Sequence, residues 1–324
     1  MFDIITFGSA TQDIIVKPKH VTLLKYDKSS SNHKDVCFPV GSKVEIEDME
    51  FYSGGGGTNT AVAFALQGFK TAFCGMVGQD VSGQEVINEL KRLKVYTGLV
   101  QRTDKKRTNH SVIILNSGTD RTILAYRGAA ELLEMVPFRK LKTKWLYLAP
   151  LSGLLCDRFE ELVRFAADKK IKIAVNPGMA QLSLPNFTQI AEKIDVLILN
   201  QEEASFLTKI PFENEKEIFT KIDAMHPGVT VMTRGGDGVV VSDGKHIYSA
   251  LPPADRNIID TTGAGDSFAS GFLSEFMKTA DVEKSVQLGM ANSVGNLSKV
   301  GAKPGLLKKG QEFEKVEVKK ENIS

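Results

Sequence analysis

From residue 145 onward, short apolar runs alternate with longer stretches in which apolar residues recur every three or four positions. Residues 145–149, 171–175, 196–199 and 229–232 have the length and apolar character of buried strands, whereas 157–167 and 201–207 carry helical spacing. This alternation predicts βαβ units and a mostly parallel sheet. Two regions break the rhythm. Residues 12–16 and 36–52 read as extended segments separated by a polar stretch around 29–34, and 108–126 reads as two strands joined by a turn at Asn116-Ser-Gly-Thr-Asp120. Consecutive strands without helices between them do not belong in a doubly wound sheet. They predict a small β appendage, assembled from discontinuous segments, over a larger α/β domain. Neither an internal repeat nor a low-complexity segment interrupts the chain.

Length and composition narrow this further. A chain of 324 residues fits two average domains or one large α/β domain with an appendage, and 42% hydrophobic with 25% charged residues is a globular balance. With 41 Lys and Arg against 39 Asp and Glu, the net charge is +2, so no global field favours nucleic acid or a membrane surface as partner. Lysines in the last stretch are diluted by Glu312, Glu314, Glu317 and Glu321, which reads as a solvated tail. Cys37, Cys74 and Cys156 are odd in number and far apart, which fits neither a disulfide framework nor a zinc site and points to a reducing, cytoplasmic setting. The first residues lack a basic segment, and no apolar run reaches the length of a bilayer span, so a soluble, unexported protein is expected.

The chemistry concentrates at Asp260-Thr-Thr-Gly-Ala-Gly-Asp266-Ser-Phe-Ala-Ser-Gly-Phe272. Gly263, Ala264 and Gly265 are small enough for backbone N–H groups to converge on an anion, and Phe268, Phe272 and Phe276 mark a helix beginning there. Asp266 is then either an ordinary residue near a helix N-cap or a carboxylate that takes a proton beside a bound phosphate. A second cluster, Ser53-Gly-Gly-Gly-Gly-Thr-Asn59-Thr-Ala, opens a small-residue helix. Its successive glycines permit close approach of a ligand to the backbone, and Asn59 offers an amide that donates and accepts. Asp13 interrupts an apolar passage after the first strand, as a turn cap or a hydroxyl-binding group.

In this order the clusters resemble the PfkB carbohydrate kinases, the ribokinase-like family. Besides the two glycine signatures, Val77-Gly-Gln-Asp80 with Gly83, Asn176-Pro-Gly178, Asn200-Gln-Glu-Glu203 and Thr233-Arg-Gly-Gly-Asp-Gly238 match family pieces, and the likeness runs from about residue 3 to 305. The resemblance implies a single three-layer α/β/α domain over 1–324 with a mostly parallel sheet and a small β-sheet lid from about 12–16, 36–52 and 108–126. It implies an ATP-dependent kinase that phosphorylates a primary hydroxyl of a sugar or sugar derivative, with Asp266 as general base and Gly263, Ala264 and Gly265 as anion hole. Asp13, Gly55, Gly56 and Asn59 fall on the acceptor side, while Asn200, Thr233, Gly235, Gly238 and Asn292 fall on the nucleotide side. Glu203 and Asn200 match the positions that organise Mg²⁺ through water, and Asp260 and Thr262 lie where several relatives hold a monovalent cation such as K⁺. A homodimer through the lid is a further expectation.

Two departures bear on the acceptor. Gly56 stands where ribose kinases carry lysine, and Ala149 where they carry an acid. Arg127, near the end of the lid hairpin, is either a surface arginine or a guanidinium facing the acceptor, and the second reading favours a phosphate- or carboxylate-bearing sugar. A nucleoside kinase of the same family is the alternative, favoured by an apolar wall near Cys37, Phe38 and Tyr52. A non-catalytic sugar-binding regulator would have no need of Asp266 beside an anion hole.

Overall fold

The computed structural model describes residues 1–25, 34–115 and 121–323. Within them, the strands Phe2–Phe7, Thr71–Cys74, Thr143–Leu148, Lys172–Val175, Val196–Asn200 and Val229–Thr233 form the parallel part of a nine-stranded sheet. Val239–Ser242, His246–Ala250 and Val318–Asn322 extend it as antiparallel strands. Side chains alternate between faces along each strand. Ile5, Phe7, Leu146 and Val175 pack on one side with Phe159, Leu162 and Ile222 from helices, while Ile4, Tyr147, Ala174 and Ile198 pack on the other with Phe64, Phe268 and Phe272. The result is the three-layer α/β/α arrangement, with apolar runs on both faces as a doubly covered sheet demands.

The chain end differs from its expected form as a solvated tail. Val318–Asn322 pairs antiparallel with His246–Ala250 and becomes the edge strand, with Lys319, Lys320 and Glu321 exposed on it. Charged side chains are suited to a sheet edge because they discourage further pairing.

A second sheet of four strands runs in the order Arg121–Tyr126, Asn109–Leu115, Thr11–Pro18, Ile46–Gly54. The expected extended segment 36–52 is corrected by this layout. Lys34–Cys37 pairs instead with Thr22–Lys25 in a separate ribbon, and only Ile46–Gly54 joins the second sheet. The polar stretch at 29–33 and the turn at 116–120 lie outside the described residues. No helix among the described residues is long and apolar enough to cross a membrane.

Phe2–Phe7 sits between Thr71–Cys74 and Thr143–Leu148. The strand order therefore reverses about Phe2–Phe7, one strand in from the edge, which opens a crevice at the carboxyl ends of the strands, the usual ligand position in such folds.

Candidate active site

At that crevice the helix Ala264–Thr279 begins after Gly263, whose φ of 76° is left-handed. Only glycine fits there. A Cβ would lie 2.5 Å from the Ala302 Cβ, on top of the left-handed strain of about 1–2 kcal/mol. At Gly265 a Cβ would meet nothing within 4 Å, so the turn faces open space. The helix start leaves its first N–H groups without intrahelical acceptors and carries a partial positive charge, which together make a cradle for an anion. Ala264 contributes less than its neighbours, since its N–H is directed back to the Thr261 carbonyl at 3.3 Å.

Asp266 is half-buried in the first turn of this helix. Its Oδ2 accepts a hydrogen bond of 2.8 Å from Asn59 Nδ2. Asn59 comes from the helix Gly56–Leu66, which packs on Ala264–Thr279, so two helix starts bring the pair together. Burial pushes the Asp266 carboxyl up from the ordinary carboxylate range, and the Asn59 bond offsets part of that rise. The Asn59 amide, expected at a sugar hydroxyl, is thus engaged by the carboxylate, while its Oδ1 is buried with no partner among the described residues.

The glycine cluster is explained by close approach. A Cβ on Gly54 would lie 2.0 Å from Asp13 Oδ2, and one on Gly55 would lie 2.5 Å from the Ser9 carbonyl oxygen. At Gly56 a Cβ would sit 3.3 Å from both Asp266 Oδ1 and the Ala149 Cβ. A longer side chain in that position would grow between the carboxylate and the open crevice. Asp13 is buried on a central strand of the second sheet; burial raises its pKa, and a hydrogen bond from Ser111 and the nearby Lys303 charge hold it down.

Two cavities flank these groups. One of about 200 Å³ is lined by Gly8, Ser9, Thr11, Asn109, Ser111, Arg127 and Pro150. Arg127 is exposed at its rim and forms no ion pair among the described residues. The other, of about 320 Å³, is lined by Thr233, Gly235, Gly238, Ala264, Gly265, Phe268, Met290 and Ser293. Asn200 lies directly across from Thr233 in the sheet register. Asn200 Oδ1 accepts from the Glu203 N–H at 2.8 Å, and Glu203 Oε2 accepts from the Asn200 N–H at 2.9 Å, a reciprocal cap. Burial raises the Glu203 pKa. Asp260 accepts from the Thr262 N–H and hydroxyl at 2.9 and 2.8 Å and from the Gly301 N–H at 2.9 Å, which organises the loop before the cradle.

The sequence profile of the pfkB family carbohydrate kinases matches residues 24–309. The chain belongs to this family. It is a PfkB-type phosphotransferase with an alcohol group as acceptor. A ribokinase of Haemophilus influenzae is 27% identical over 277 residues, covering 82% of this chain and 88% of the relative. An adenosine kinase of Arabidopsis thaliana is 24% identical over 311 residues, covering 87% and 90%. Among solved structures, the ribokinase of Arabidopsis thaliana complexed with ribose and ATP superposes with a TM-score of 0.78 at 20% identity, covering 94% of this chain and 96% of that one. A nucleoside kinase of Methanocaldococcus jannaschii gives 0.75 at 20% identity, covering 94% and 95%.

In this PfkB kinase Asp266, Asn59 and Gly56 lie together, Thr233, Gly235, Gly238, Ala264 and Gly265 line one cavity, and one expected residue points elsewhere. Asn292, expected beside the nucleotide, is turned into the core, where its Nδ2 donates to the Ser267 carbonyl at 2.7 Å and its Oδ1 accepts from the Leu307 N–H at 2.8 Å. Its neighbour Ser293 lines the cavity instead. The apolar wall considered at Cys37, Phe38 and Tyr52 does not line either cavity: Tyr52 covers Gly301 and donates its hydroxyl to Glu50, and Phe38 is 40% exposed. Sequence reasoning missed Ser9, Pro150 and Lys303. Gly301-Ala-Lys-Pro lies beyond the helix Val282–Leu297, after three intervening residues, and carries no periodic signal, so the role of Lys303 is revealed by its three-dimensional neighbours.

Proposed function

We propose that this enzyme transfers the γ-phosphoryl group of ATP to a primary hydroxyl of a sugar or sugar derivative. The carrying observation is Asp266, held by Asn59 in the first turn of the helix whose start, at Ala264 and Gly265, lines the larger of the two cavities. In the proposed step the acceptor oxygen attacks the γ-phosphorus in line, its proton passes to Asp266, and the bond to the β-phosphate oxygen breaks to release ADP. Gly263 and Gly265 N–H groups stabilise the charge gathering on the transferred phosphoryl oxygens. Asn59 fixes which way Asp266 points, and its Oδ1 accepts from the acceptor.

One carboxylate and one amide fit a hard cation that keeps most of its waters, so Glu203 and Asn200 are the residues that would hold Mg²⁺, through water. The bound ion would neutralise charge on the nucleotide phosphates. A monovalent cation beside the Asp260 loop belongs to the same reading and is tested by comparing rates in K⁺ and in a bulky organic cation. The four-stranded sheet acts as the lid that excludes water.

ATP consumption against a panel of sugars, sugar phosphates, sugar acids and nucleosides tests the acceptor class. Arg127 at the rim, with no acid among the described residues that line the same cavity, supports an acceptor that carries a phosphate or carboxylate. Such acceptors should exceed their neutral counterparts in kcat/KM by about tenfold or more, and Arg127→Gln should erase the difference. A nucleoside preferred over every sugar would overturn the sugar reading.

The lid supports a homodimer. Phe51, Ile14, Val112 and Leu124 lie opposite one another across its strands, on the face away from Asp13, and Phe51 and Leu124 are 59% and 58% exposed. A second copy laid against this apolar row would bury it. Sedimentation equilibrium should give twice the 35.5 kDa chain mass, with Leu124→Glu reducing it to one chain. A monomeric wild type would remove the dimer from the account.

A further inference from the structure

Lys303 is a buried ammonium that the phosphoryl-transfer chemistry does not use. Its side chain is 7% exposed, and its Nζ donates to Glu89 Oε2 at 2.7 Å and to Ser53 Oγ. These partners come from separate elements. Glu89 lies on the helix Val81–Arg92, and Ser53 lies near the end of the lid strand Ile46–Gly54, directly before the glycine whose Cα is covered by the Asp13 carboxylate. Burying a lysine is costly unless its charge is compensated, so a paired ammonium here calls for a reason beyond packing.

The short stretch Gly301-Ala-Lys303 touches both halves of the site. Gly301 donates its N–H to Asp260 and lies under the Tyr52 ring, Ala302 abuts Gly263 at the phosphate cradle, and Lys303 grips Ser53 beside Asp13. It is a strap between the lid strand on the acceptor side and the turn that would hold the transferring phosphate.

We propose that Lys303 is a positioning residue for the acceptor: clamped by Glu89, it pins the lid strand at Ser53, next to the glycine that the Asp13 carboxylate covers, and so holds that carboxylate ready to accept a hydrogen bond from an acceptor hydroxyl. This rests on the kinase reading above for the identity of the ligand, but the ionisation of Asp13 stands apart from it. The groups that bear on Asp13 are few. Ser111 donates to it from the adjacent strand, the Lys303 charge favours its ionised form, and the Asp260 charge and burial oppose it. Glu89 pairs with the Lys303 ammonium and is not among the charges that act on Asp13. Without the cation, burial and Asp260 act on Asp13 with only Ser111, among the described residues, against them.

The test compares Lys303→Met and Lys303→Arg with wild type in two independent readouts. The first is the ¹³C carboxyl resonance of Asp13, assigned with Asp13→Asn and followed against pH without substrate. Its midpoint should move to higher pH in Lys303→Met and return toward wild type in Lys303→Arg. The second is steady-state kinetics on the best acceptor of the panel: KM for the acceptor should rise about tenfold or more in Lys303→Met with KM for ATP within about twofold, as expected for losing one charge-assisted contact on one side of the site. An unchanged Asp13 midpoint in a folded Lys303→Met, or equal rises in both KM values, overturns the proposal. Should Lys303→Met not fold, the arginine variant decides, since a clamp that needs only a cation retains the midpoint and a purely steric role does not. A chain inactive on every acceptor would sink the kinase reading while leaving the Asp13 titration to decide this one.

Discussion

Asp266→Asn should lower kcat by about 10³–10⁴-fold while leaving ATP affinity within about twofold, because the amide keeps the shape and cannot take the acceptor proton. It should also make the protein more stable at neutral pH. The folded-state pKa of Asp266 is raised above its unfolded value by burial, so the ionised carboxylate opposes folding at pH 7. That penalty is fully present above the folded pKa and disappears as pH falls through it toward the unfolded value of 3.8. Thermal melts of wild type and Asp266→Asn should therefore differ at pH 7, with the variant higher, and converge in acid. The Asn59 contact can survive, since an asparagine oxygen at 266 still accepts from Asn59 Nδ2. A variant that keeps more than about one per cent of wild-type kcat would remove Asp266 from the role of base.

Gly263→Ala is expected to have the second largest effect. The added Cβ would meet the Ala302 Cβ at 2.5 Å in a residue held at φ 76°, so the helix start must shift. Loss of a preorganised anion cradle typically costs about 10²–10³ in kcat. Strain at such a position costs about 1–3 kcal/mol of stability. Gly265→Ala separates these effects, because its Cβ meets nothing and should leave the melting temperature unchanged. Measurement of kcat and melting temperature for both variants checks the assignment. A folded Gly263→Ala with wild-type kcat would show that the turn does not stabilise the transferring group.

These predictions rest on residues of unequal legibility. Phe268, Phe272 and Phe276 announced a helix through their spacing, and they stack along Ala264–Thr279 with ring centroids 6.2 and 5.9 Å apart. Strands of the sheet were readable because burial on both faces leaves continuous apolar runs, with boundaries shifted by a residue or two. The helix expected at 157–167 begins earlier, at Leu154–Asp157, and restarts at Phe159–Asp168 after Arg158.

What escaped the sequence depends on contacts between distant segments. Lys34–Cys37 has strand character, but only pairing partners decide whether it joins the lid or a ribbon with Thr22–Lys25. The charged run at Val318–Asn322 reads as tail because an edge strand needs little apolar character to pair on one side. Asn292 sits one residue from the cavity-lining Ser293 on the same helix, and a rotation of about 100° per residue separates a core hydrogen bond from a binding contact. Lys303 carries no periodic pattern, and its importance comes from Ser53 and Glu89, which lie more than two hundred residues away in the chain.

The two cavities carry different information. Thr233, Gly235 and Gly238 were expected on the nucleotide side and line the larger one together with the helix start. The smaller cavity has Arg127 in its lining, and Gly56 lies beside Asp266 with Ala149 as its other neighbour, so neither position adds a charge there.

The central claim is phosphoryl transfer to a primary hydroxyl with Asp266 as base, and the most direct test is proton-coupled ³¹P NMR of the product formed from ATP and the best acceptor. A primary ester gives a phosphorus resonance coupled to two methylene protons, a triplet when the two couplings are nearly equal. That triplet should appear with wild type, in step with ADP release, and no ester signal should appear with Asp266→Asn. A doublet from a secondary carbon, or inorganic phosphate alone, would contradict it.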